Sequence, residues 1–291
     1  MNLPDALTAA LSDAVGAAVT SVAAVGGGCI ANACRVETEA RSYFLKWGRG
    51  DVAETFPAEA AGLKTLAAAG SPLVVPEVIA QQPASDGTPA FLVTEWINSG
   101  RKGLHFWSSF GEGLAALHEH TGDQYGFDQD NFIGRLPQKN ASERTWPRFF
   151  RTQRLAPQVD MARERGRWQA GWEAPIETLY RRLPDLLPAQ PDRSVLHGDL
   201  WSGNFLVTAI GNVALVDPAV YYGHRETDLA MTELFGGFDE AFYTAYREAY
   251  PLEPGYEERR DIYNLYHLIN HLNHFGGRYA SSVDATLRAF A

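Results

Sequence analysis

The stretch that most constrains this chain is 197–204, which reads HGDLWSGN and is soon followed by an aspartate. Three side chains here have oxygen atoms suited to magnesium and phosphate chemistry: Asp199, Asn204 and Asp217. Asp217 follows a short apolar run, 213–216, that predicts a strand. A carboxylate at a strand end and a nearby loop amide can share a magnesium ion, which prefers oxygen ligands and leaves positions open for phosphate. The stretch therefore predicts a site for magnesium-assisted phosphate chemistry.

The spacing of residues within this stretch indicates which kind of phosphate chemistry is involved. Four residues separate Asp199 from Asn204, which is the spacing of the H-x-D-x-x-x-x-N loop in kinase-type phosphotransferases. Our working hypothesis is that the remaining chain delivers a nucleotide and an acceptor hydroxyl to this loop.

A glycine-rich turn near the start of the chain is a candidate for contact with the nucleotide. It contains Gly27 and Gly28 and lies between two predicted strands, 19–25 and 34–37. Glycines let the backbone approach a phosphate closely, with N–H groups directed at the anion. The alternative, an ordinary glycine hairpin, is the commoner case for such a turn alone. Cys29 lies in the same turn, either as an oxidation-sensitive thiol or as a cysteine without consequence.

A lysine and a glutamate strengthen this interpretation. Lys46 lies on a third predicted strand, 42–47, and residues 57–69 predict a helix with Pro57 in its first turn. Glu59 shares the apolar face of that helix with Leu63, so its carboxylate needs a partner, and Lys46 is a suitable one. Kinases hold the α- and β-phosphates of ATP with such a pair. The alternative is that both side chains are solvated.

The order of the elements predicts an α+β chain in two parts. Strands at 74–80 and 90–96 complete a mainly β first part, 1–97, with one inserted helix. The second part, 98–291, is mainly helical. A length of 291 residues agrees with two subdomains.

Histidines in the helical part need their own interpretation. His118 borders an apolar helix face and is predicted to pack in the core. His267 and His271 have the i, i+4 spacing of a metal pair, and His274 follows. All three fall opposite the apolar stripe of the predicted helix 257–275, without a carboxylate or cysteine nearby in sequence. A solvated or groove-facing polar stripe is therefore favoured over a metal site.

Composition excludes several partners. A formal net charge of −10 argues against non-specific binding to nucleic acid. The first residues lack the basic region of a secretory signal, and no apolar run approaches the ~18 residues that span a bilayer. Two cysteines, Cys29 and Cys34, fit a reducing compartment. We expect a cytoplasmic protein without a membrane or nucleic-acid partner.

Taken together, these residues resemble the fructosamine-3-kinase, or ketosamine kinase, family within the aminoglycoside- and choline-phosphotransferase branch of kinase-like proteins. The whole branch shares, in looser form, the HGDLWSGN stretch and the Asp-Pro-Ala at 217–219. The DNFIG stretch at 130–134 and the YYGHRE stretch at 221–226 point more narrowly to ketosamine kinases. The resemblance covers nearly the whole chain.

The resemblance implies a two-lobed protein-kinase-like fold that binds ATP and Mg2+ in its cleft. The small antiparallel β-sheet N-lobe would carry one helix, and the larger C-lobe would be mainly helical. Asp199 would be the catalytic aspartate, and Asn204 and Asp217 would hold magnesium. The predicted nucleotide contacts are Gly27, Gly28, Lys46, Glu59, Glu95 and Ile97.

The roles of three further residues follow less directly. His197 and Asp228 are predicted to be structural, with Asp228 capping a helix or holding the catalytic loop. Trp201 is predicted to form a wall against the sugar or its amine substituent, because a bulky aromatic is costly to leave exposed.

The acceptor implied by the family is the 3-hydroxyl of a fructosamine or ribulosamine, carried by a small amine or by a glycated protein lysine. Phosphorylation there destabilises the sugar–amine bond, which implies deglycation. A monomer or a homodimer is compatible with the sequence. The alternatives are a kinase of the same fold for another hydroxyl (an aminoglycoside, choline or homoserine) and a nucleotide-binding pseudokinase. The complete set of site residues speaks against the pseudokinase.

Overall fold

The computed structural model describes residues 3–26 and 32–290 and has an α+β architecture. Its first part contains a five-stranded antiparallel sheet with two helices, and the rest is mainly helical. The elements of the first part are α1 (Asp5–Val15), β1 (Val19–Ala24), β2 (Asn32–Thr38), β3 (Ser42–Gly48), α2 (Asp51–Ala68), β4 (Val78–Gln82) and β5 (Ala90–Glu95). The helices of the second part are α3 (Phe106–Glu119), α4 (Trp146–Phe149), α5 (Ala156–Glu164), α6 (Glu173–Leu186), α7 (Glu226–Leu234), α8 (Glu240–Ala249), α9 (Tyr256–Phe275) and α10 (Ala280–Phe290).

The sheet has the strand order β1-β2-β3-β5-β4 and is covered by one helix on each face. Side chains alternate along β5: Phe91 packs with α1, whereas Leu92 packs with α2. The same alternation along β3 directs Leu45 toward α1, because successive strand side chains point to opposite faces. Lys46, the next residue, therefore faces α2.

Two predicted boundaries in this part were wrong. Helix α2 begins at Asp51, so Pro57 lies inside it rather than in its first turn. Proline removes one helical hydrogen bond, and the buried Phe56 and Leu63 on the same helix offset that loss by packing. The strand predicted over 74–80 is split at Pro76: Val74 bridges to Ala214, and β4 starts only at Val78.

Three small antiparallel strand pairs support the helical part. They are β6 (Asn131–Ile133) with β7 (Leu136–Gln138), β8 (Ser194–Leu196) with β11 (Tyr221–Gly223), and β9 (Phe205–Val207) with β10 (Val213–Leu215). Helix α9 lies at the centre of this part, where residues 262–270 are all buried. Among the described residues, no helix is both long enough and apolar enough to cross a membrane.

The burial of α9 corrects the prediction of a solvated or groove-facing position for His267. His267 is buried, with 4% of its surface exposed, and His271 and His274 are half-buried. The middle of the helix, 262–270, is buried on every side, so His267, opposite the main apolar stripe, is also buried. His118 lies in the core as predicted and hydrogen-bonds Tyr246 and Asp228.

The buried His267 predicts a dependence of stability on pH. Burial lowers the pKa of His267 to about 3, whereas a histidine in an unfolded chain titrates near about 6.5. Below about pH 6.5 the unfolded chain therefore binds a proton that the folded chain excludes. We expect this residue to reduce the free energy of unfolding by up to about 1.4 kcal/mol for each pH unit below that value.

Urea unfolding at pH 7 and pH 5 checks this expectation. His267→Gln should lose less stability between the two pH values than the natural sequence does. The control His105→Gln, at an exposed position, removes a histidine outside the core and should leave the difference unchanged. An equal loss in His267→Gln and in the natural sequence would contradict the assignment.

An ion pair between α7 and α9 predicts a larger effect on stability. The fully buried carboxylate of Glu226 accepts two hydrogen bonds from Arg259, both 2.7 Å long. Arg259→Leu leaves this carboxylate buried without its partner, so we expect a loss of about 3–5 kcal/mol in the free energy of unfolding. The double variant Arg259→Leu/Glu226→Leu should recover part of that loss in the same urea titration. A single variant as stable as the natural sequence would contradict this account.

Candidate active site

An ion pair joins the sheet to α2. Nζ of Lys46 on β3 lies 2.7 Å from Oε1 of Glu59 on α2, and both side chains are at least four-fifths buried. This is the pair expected from the apolar face of the helix and the alternation of the strand. Burial alone would lower the pKa of Lys46, but the charges of Glu59 and Asp217 more than offset this, so the pKa is raised and Lys46 remains an ammonium.

The loop after β8 approaches the segment after β10 very closely. Gly198 has a φ of 82°, and a Cβ there would lie 2.1 Å from the carbonyl oxygen of Ala219. The backbone N–H of Ala219 donates to the carbonyl of His197 at 2.8 Å. Glycine is required at this position both by the positive φ and by the close approach.

A buried aspartate holds the start of this loop. The carboxylate of Asp228 on α7 accepts hydrogen bonds from the backbone N–H groups of His197 (2.7 Å) and Gly198 (2.8 Å). Nε2 of His197 lies 3.0 Å from the carbonyl of Val216, and burial lowers the pKa of its imidazole. The predicted contact of Asp228 with the catalytic loop is confirmed, and it does not cap α7, whereas a purely structural role for His197 stays a prediction.

Asp199 and Asn204 form one hydrogen-bonded unit. Nδ2 of Asn204 donates to the carbonyl of Asp199 at 2.8 Å and to its Oδ2 at 3.1 Å. Burial raises the pKa of Asp199 to about 7, and the charges of Asp217 and Asp228 add to this. Within the described part of the chain, Oδ1 of Asn204 accepts no hydrogen bond. It is therefore the atom of this amide that can bind a cation.

Asp217 joins the loop to the sheet. It lies two residues after the end of β10, and its φ of 54° is the one positive value at a non-glycine among the described residues. Its carboxylate, half exposed, forms a short ion pair with Nζ of Lys46. Lys46 therefore contacts both Glu59 and Asp217, two carboxylates from separate parts of the chain.

These oxygens fit a magnesium ion whose remaining ligands come from phosphate and water. Asp217 offers a carboxylate and Asn204 an amide oxygen, which is the hard oxygen chemistry that magnesium prefers. Across residues 3–26 and 32–290, no group of three histidine, cysteine, aspartate or glutamate side chains is arranged to hold a metal. A magnesium ion carried by a nucleotide does not need such a group, because it usually binds only one or two protein carboxylates.

The aromatic side chain of the loop lies over its glycine. Trp201 is 39% exposed, and a Cβ on Gly203 would lie 2.3 Å from its ring. The neighbouring Ser202 contacts the turn after α7, because a Cβ on Gly237 would lie 2.7 Å from the Cβ of Ser202. The partly exposed ring of Trp201 therefore belongs to the same loop as Asp199, two residues later in the sequence.

The remaining predicted nucleotide residues are placed only in part. Glu95 is the last residue of β5, which pairs with β3, the strand of Lys46. Ile97 follows two residues later and is half-buried. Their contact with adenine stays a prediction. Gly27, Gly28 and Cys29 lie outside the described residues.

The hairpin of β6 and β7 supports the catalytic segment, a role that its sequence did not indicate. Nδ2 of Asn131 donates to the carbonyl of Val220 at 2.7 Å, and Nε2 of Gln138 donates to the carbonyl of Ala219 at 2.9 Å. The hydroxyl of Tyr266 on α9 donates to Oε1 of Gln138 at 2.7 Å. These buried side chains hold the segment after Asp217. The DNFIG stretch drew attention to Asn131, but nothing local in sequence indicated its partner.

The site and fold can be compared with known proteins. The family model described as "Fructosamine kinase" matches residues 4–290. A "probable ketoamine kinase" of Synechocystis is 42% identical over 267 residues, which cover 91% of this chain and 88% of that protein. A chloroplastic "protein-ribulosamine 3-kinase" of Arabidopsis thaliana is 35% identical over 91% of this chain and 80% of its own length.

Solved structures agree with the sequence relatives. The crystal structure of a "putative fructosamine-3-kinase" from Thermobifida fusca has a TM-score of 0.88 and 32% identity over 99% of both chains. A thermostable mutant of the aminoglycoside phosphotransferase APH(4)-Ia, crystallised with ADP and hygromycin B, has a TM-score of 0.67 at 15% identity. It covers 98% of this chain and 99% of its own. This second likeness shows the kinase-like fold alone. The family match over nearly the whole chain, with relatives above 30% identity, shows that this protein belongs to the fructosamine kinase family.

Proposed function

We propose that this kinase transfers the γ-phosphoryl group of ATP, with magnesium, to the 3-hydroxyl of ketosamines. The observation that carries the proposal is the double contact of Lys46, which pairs with Glu59 and reaches Asp217 beside the loop of Asp199 and Asn204. Phosphoryl transfer requires positioning and charge neutralisation more than covalent chemistry, and this cluster can supply both.

In this proposal Asp199 acts on the acceptor. The hydroxyl oxygen of the sugar bonds to the γ-phosphorus, the bond from that phosphorus to the bridging oxygen breaks, and ADP leaves. The proton of the hydroxyl passes to the carboxylate of Asp199. The hydrogen bond from Asn204 orients that carboxylate, and a raised pKa makes it a better proton acceptor at neutral pH.

The other residues act on the nucleotide. Lys46, oriented by Glu59, would contact the phosphates, and Asn204 with Asp217 would hold magnesium. Magnesium supplies charge neutralisation on the phosphate oxygens. The turn at Gly27 and Gly28 would approach the phosphates, and the backbone of Glu95 and Ile97 would meet adenine. A division into a nucleotide lobe, 1–97, and an acceptor lobe, 98–291, follows from these roles.

The names of the relatives support a ketosamine acceptor, carried either by a small amine or by a protein lysine. The rival acceptors are aminoglycosides, choline and homoserine. The shared fold of the aminoglycoside phosphotransferase keeps this alternative open, because acceptor chemistry varies within one fold.

An ATP-consumption assay across ribulosyl-lysine, fructosyl-lysine, kanamycin, choline and homoserine tests the acceptor class. We expect turnover with one or both ketosamines and none above background with the other three. A signal only with the last three would replace the ketosamine assignment, and no signal with any acceptor in an ATP-binding protein would favour the pseudokinase.

The exposed ring of Trp201 predicts a role in acceptor affinity. We expect Trp201→Ala to raise the KM for the ketosamine by roughly tenfold, because a flat aromatic wall would no longer contact the sugar. The KM for ATP should stay close to that of the natural sequence. Trp201→Phe, which keeps a ring, should have a smaller effect. Equal changes in the two KM values would indicate instead that the ring only supports the loop.

A further inference from the structure

A cavity of about 540 Å³ lies outside the catalytic stretch, between the start of α2, the β6–β7 hairpin and the end of α9. Its lining includes four arginines, which are Arg49, Arg135, Arg165 and Arg167. None of the residues 197–217 lines it. The roles proposed above for the active site do not account for this cluster.

The charge of the cavity is opposite to that of the protein. Asp51 is the one acidic residue in the lining, which leaves an excess of three positive charges in a chain of net charge −10. His274 also lines the cavity. Its pKa is lowered by burial and by the charges of Arg165, Arg135 and Arg167, so at neutral pH it adds no charge. Like charges that converge in this way repel one another unless an anion joins them.

Two of these arginines also have a structural role. Nη1 of Arg165 donates to the carbonyl of Asn273 at 2.6 Å, and Nη1 of Arg167 donates to the carbonyl of Leu272 at 2.8 Å, at the end of α9. Cations are favourable there because of the helix dipole. These bonds use one nitrogen of each guanidinium, and in the described part of the chain no hydrogen bond uses the others. Arg49 does not bind the end of α9, and it has no hydrogen-bond or ion-pair partner among the described residues, so its position in the cavity has no such structural reason.

We propose that this arginine cavity, defined by Arg49, Arg135, Arg165 and Arg167, binds the phosphate group of a small molecule. A phosphate dianion neutralises most of the positive excess, whereas a single carboxylate neutralises only one charge. Guanidinium groups also match phosphate oxygens with paired hydrogen bonds. The volume suits a ligand of small-molecule size.

The position of the cavity links such a ligand to the catalytic helix. Arg49 directly precedes the turn into α2, and Glu59 lies about 12 Å along that helix from Asp51. A phosphate that contacts Arg49 and Arg165 joins the start of α2 to the end of α9. This consequence for catalysis rests on the proposed role of Glu59, whereas the binding of phosphate does not.

Equilibrium dialysis with radiolabelled inorganic phosphate tests the binding. The protein is first saturated with a non-hydrolysable ATP analogue and magnesium, so that phosphate cannot occupy the nucleotide site, including the position of the γ-phosphate. We expect one phosphate per chain, with affinity weakened about tenfold or more in Arg49→Gln and in Arg165→Gln. Arg181→Gln, which removes an arginine of α6 that does not line the cavity, should bind like the natural sequence.

Binding is measured without turnover, so its outcome is independent of the acceptor assignment. The proposal is overturned if the natural sequence binds no phosphate when the ATP analogue fills the nucleotide site. It is equally overturned if Arg49→Gln and Arg165→Gln bind phosphate as tightly as Arg181→Gln does.

Kinetics then distinguish two sources of the phosphate group. If a separate compound supplies it, inorganic phosphate should change the KM for ATP with an unphosphorylated ketosamine, and this change should be smaller in Arg49→Gln. If the acceptor itself carries it, Arg49→Gln should raise the KM for a phosphorylated ketosamine more than for the unphosphorylated form. Arg181→Gln should match the natural sequence in both series.

Discussion

Asp199→Asn is expected to lower kcat by about 10²- to 10⁴-fold while ATP still binds, because the variant cannot accept the proton of the attacking hydroxyl. The substitution keeps the size and shape of the side chain. An asparagine carbonyl oxygen can still accept the hydrogen bond that Asn204 donates at 3.1 Å, so the loop should keep its conformation.

The measurement pairs steady-state turnover with ATP binding by calorimetry. Asp185→Asn makes the same chemical change at an exposed position on α6 and should leave both quantities unchanged. Near-normal turnover in Asp199→Asn would reject the role assigned to Asp199. Loss of both ATP binding and turnover would show that the substitution disrupts the nucleotide site.

Asp217→Asn should lower kcat/KM by about 10²- to 10³-fold at a fixed magnesium concentration, because a neutral amide binds the ion less well than a carboxylate. The fold should tolerate this change. Asparagine accepts the positive φ of 54° at this position more readily than most residues do. Lys46 would also keep its 2.7 Å contact with Glu59.

A magnesium titration separates this effect from general damage. The magnesium concentration at half-maximal rate should rise in Asp217→Asn, and added magnesium should recover part of the activity. Asp185→Asn again serves as the control with an unchanged titration. An unaltered magnesium requirement in Asp217→Asn would exclude this residue as a ligand of the ion.

The sequence predicted features that depend on local patterns. Glu59 lies on the apolar face of its helix and needs a partner, which predicted its contact with Lys46 on the preceding strand, and the structure confirms this contact. The apolar run before Asp217 predicted β10 correctly. In both cases the deciding residues are close in sequence: Lys46 and Glu59 are 13 positions apart, and the apolar run directly precedes Asp217.

Other features depend on packing between distant parts of the chain. The start of α2 ahead of Pro57 and the burial of His267 are decided by the surrounding core. The hydrogen bond from Asn131 to Val220 joins residues 89 positions apart. Helix α10 was not predicted at all, although its Val283 and Leu287 pack into the main core.

The contact of Lys46 with Asp217 shows the same limit, because 171 positions separate the two residues. Each could be proposed from its own motif. Only the fold brings the sheet and the loop together, and that contact is the basis of the proposed chemistry.

The site of phosphorylation on the product tests the central claim most directly. Ribulosyl-lysine is incubated with ATP, magnesium and the protein, and the product is analysed by phosphorus–proton correlation in NMR. We expect a phosphorus signal coupled to the proton on C3 of the sugar, and no such signal with Asp199→Asn. A phosphate on any other carbon, or no transfer by a folded protein that binds ATP, would contradict it.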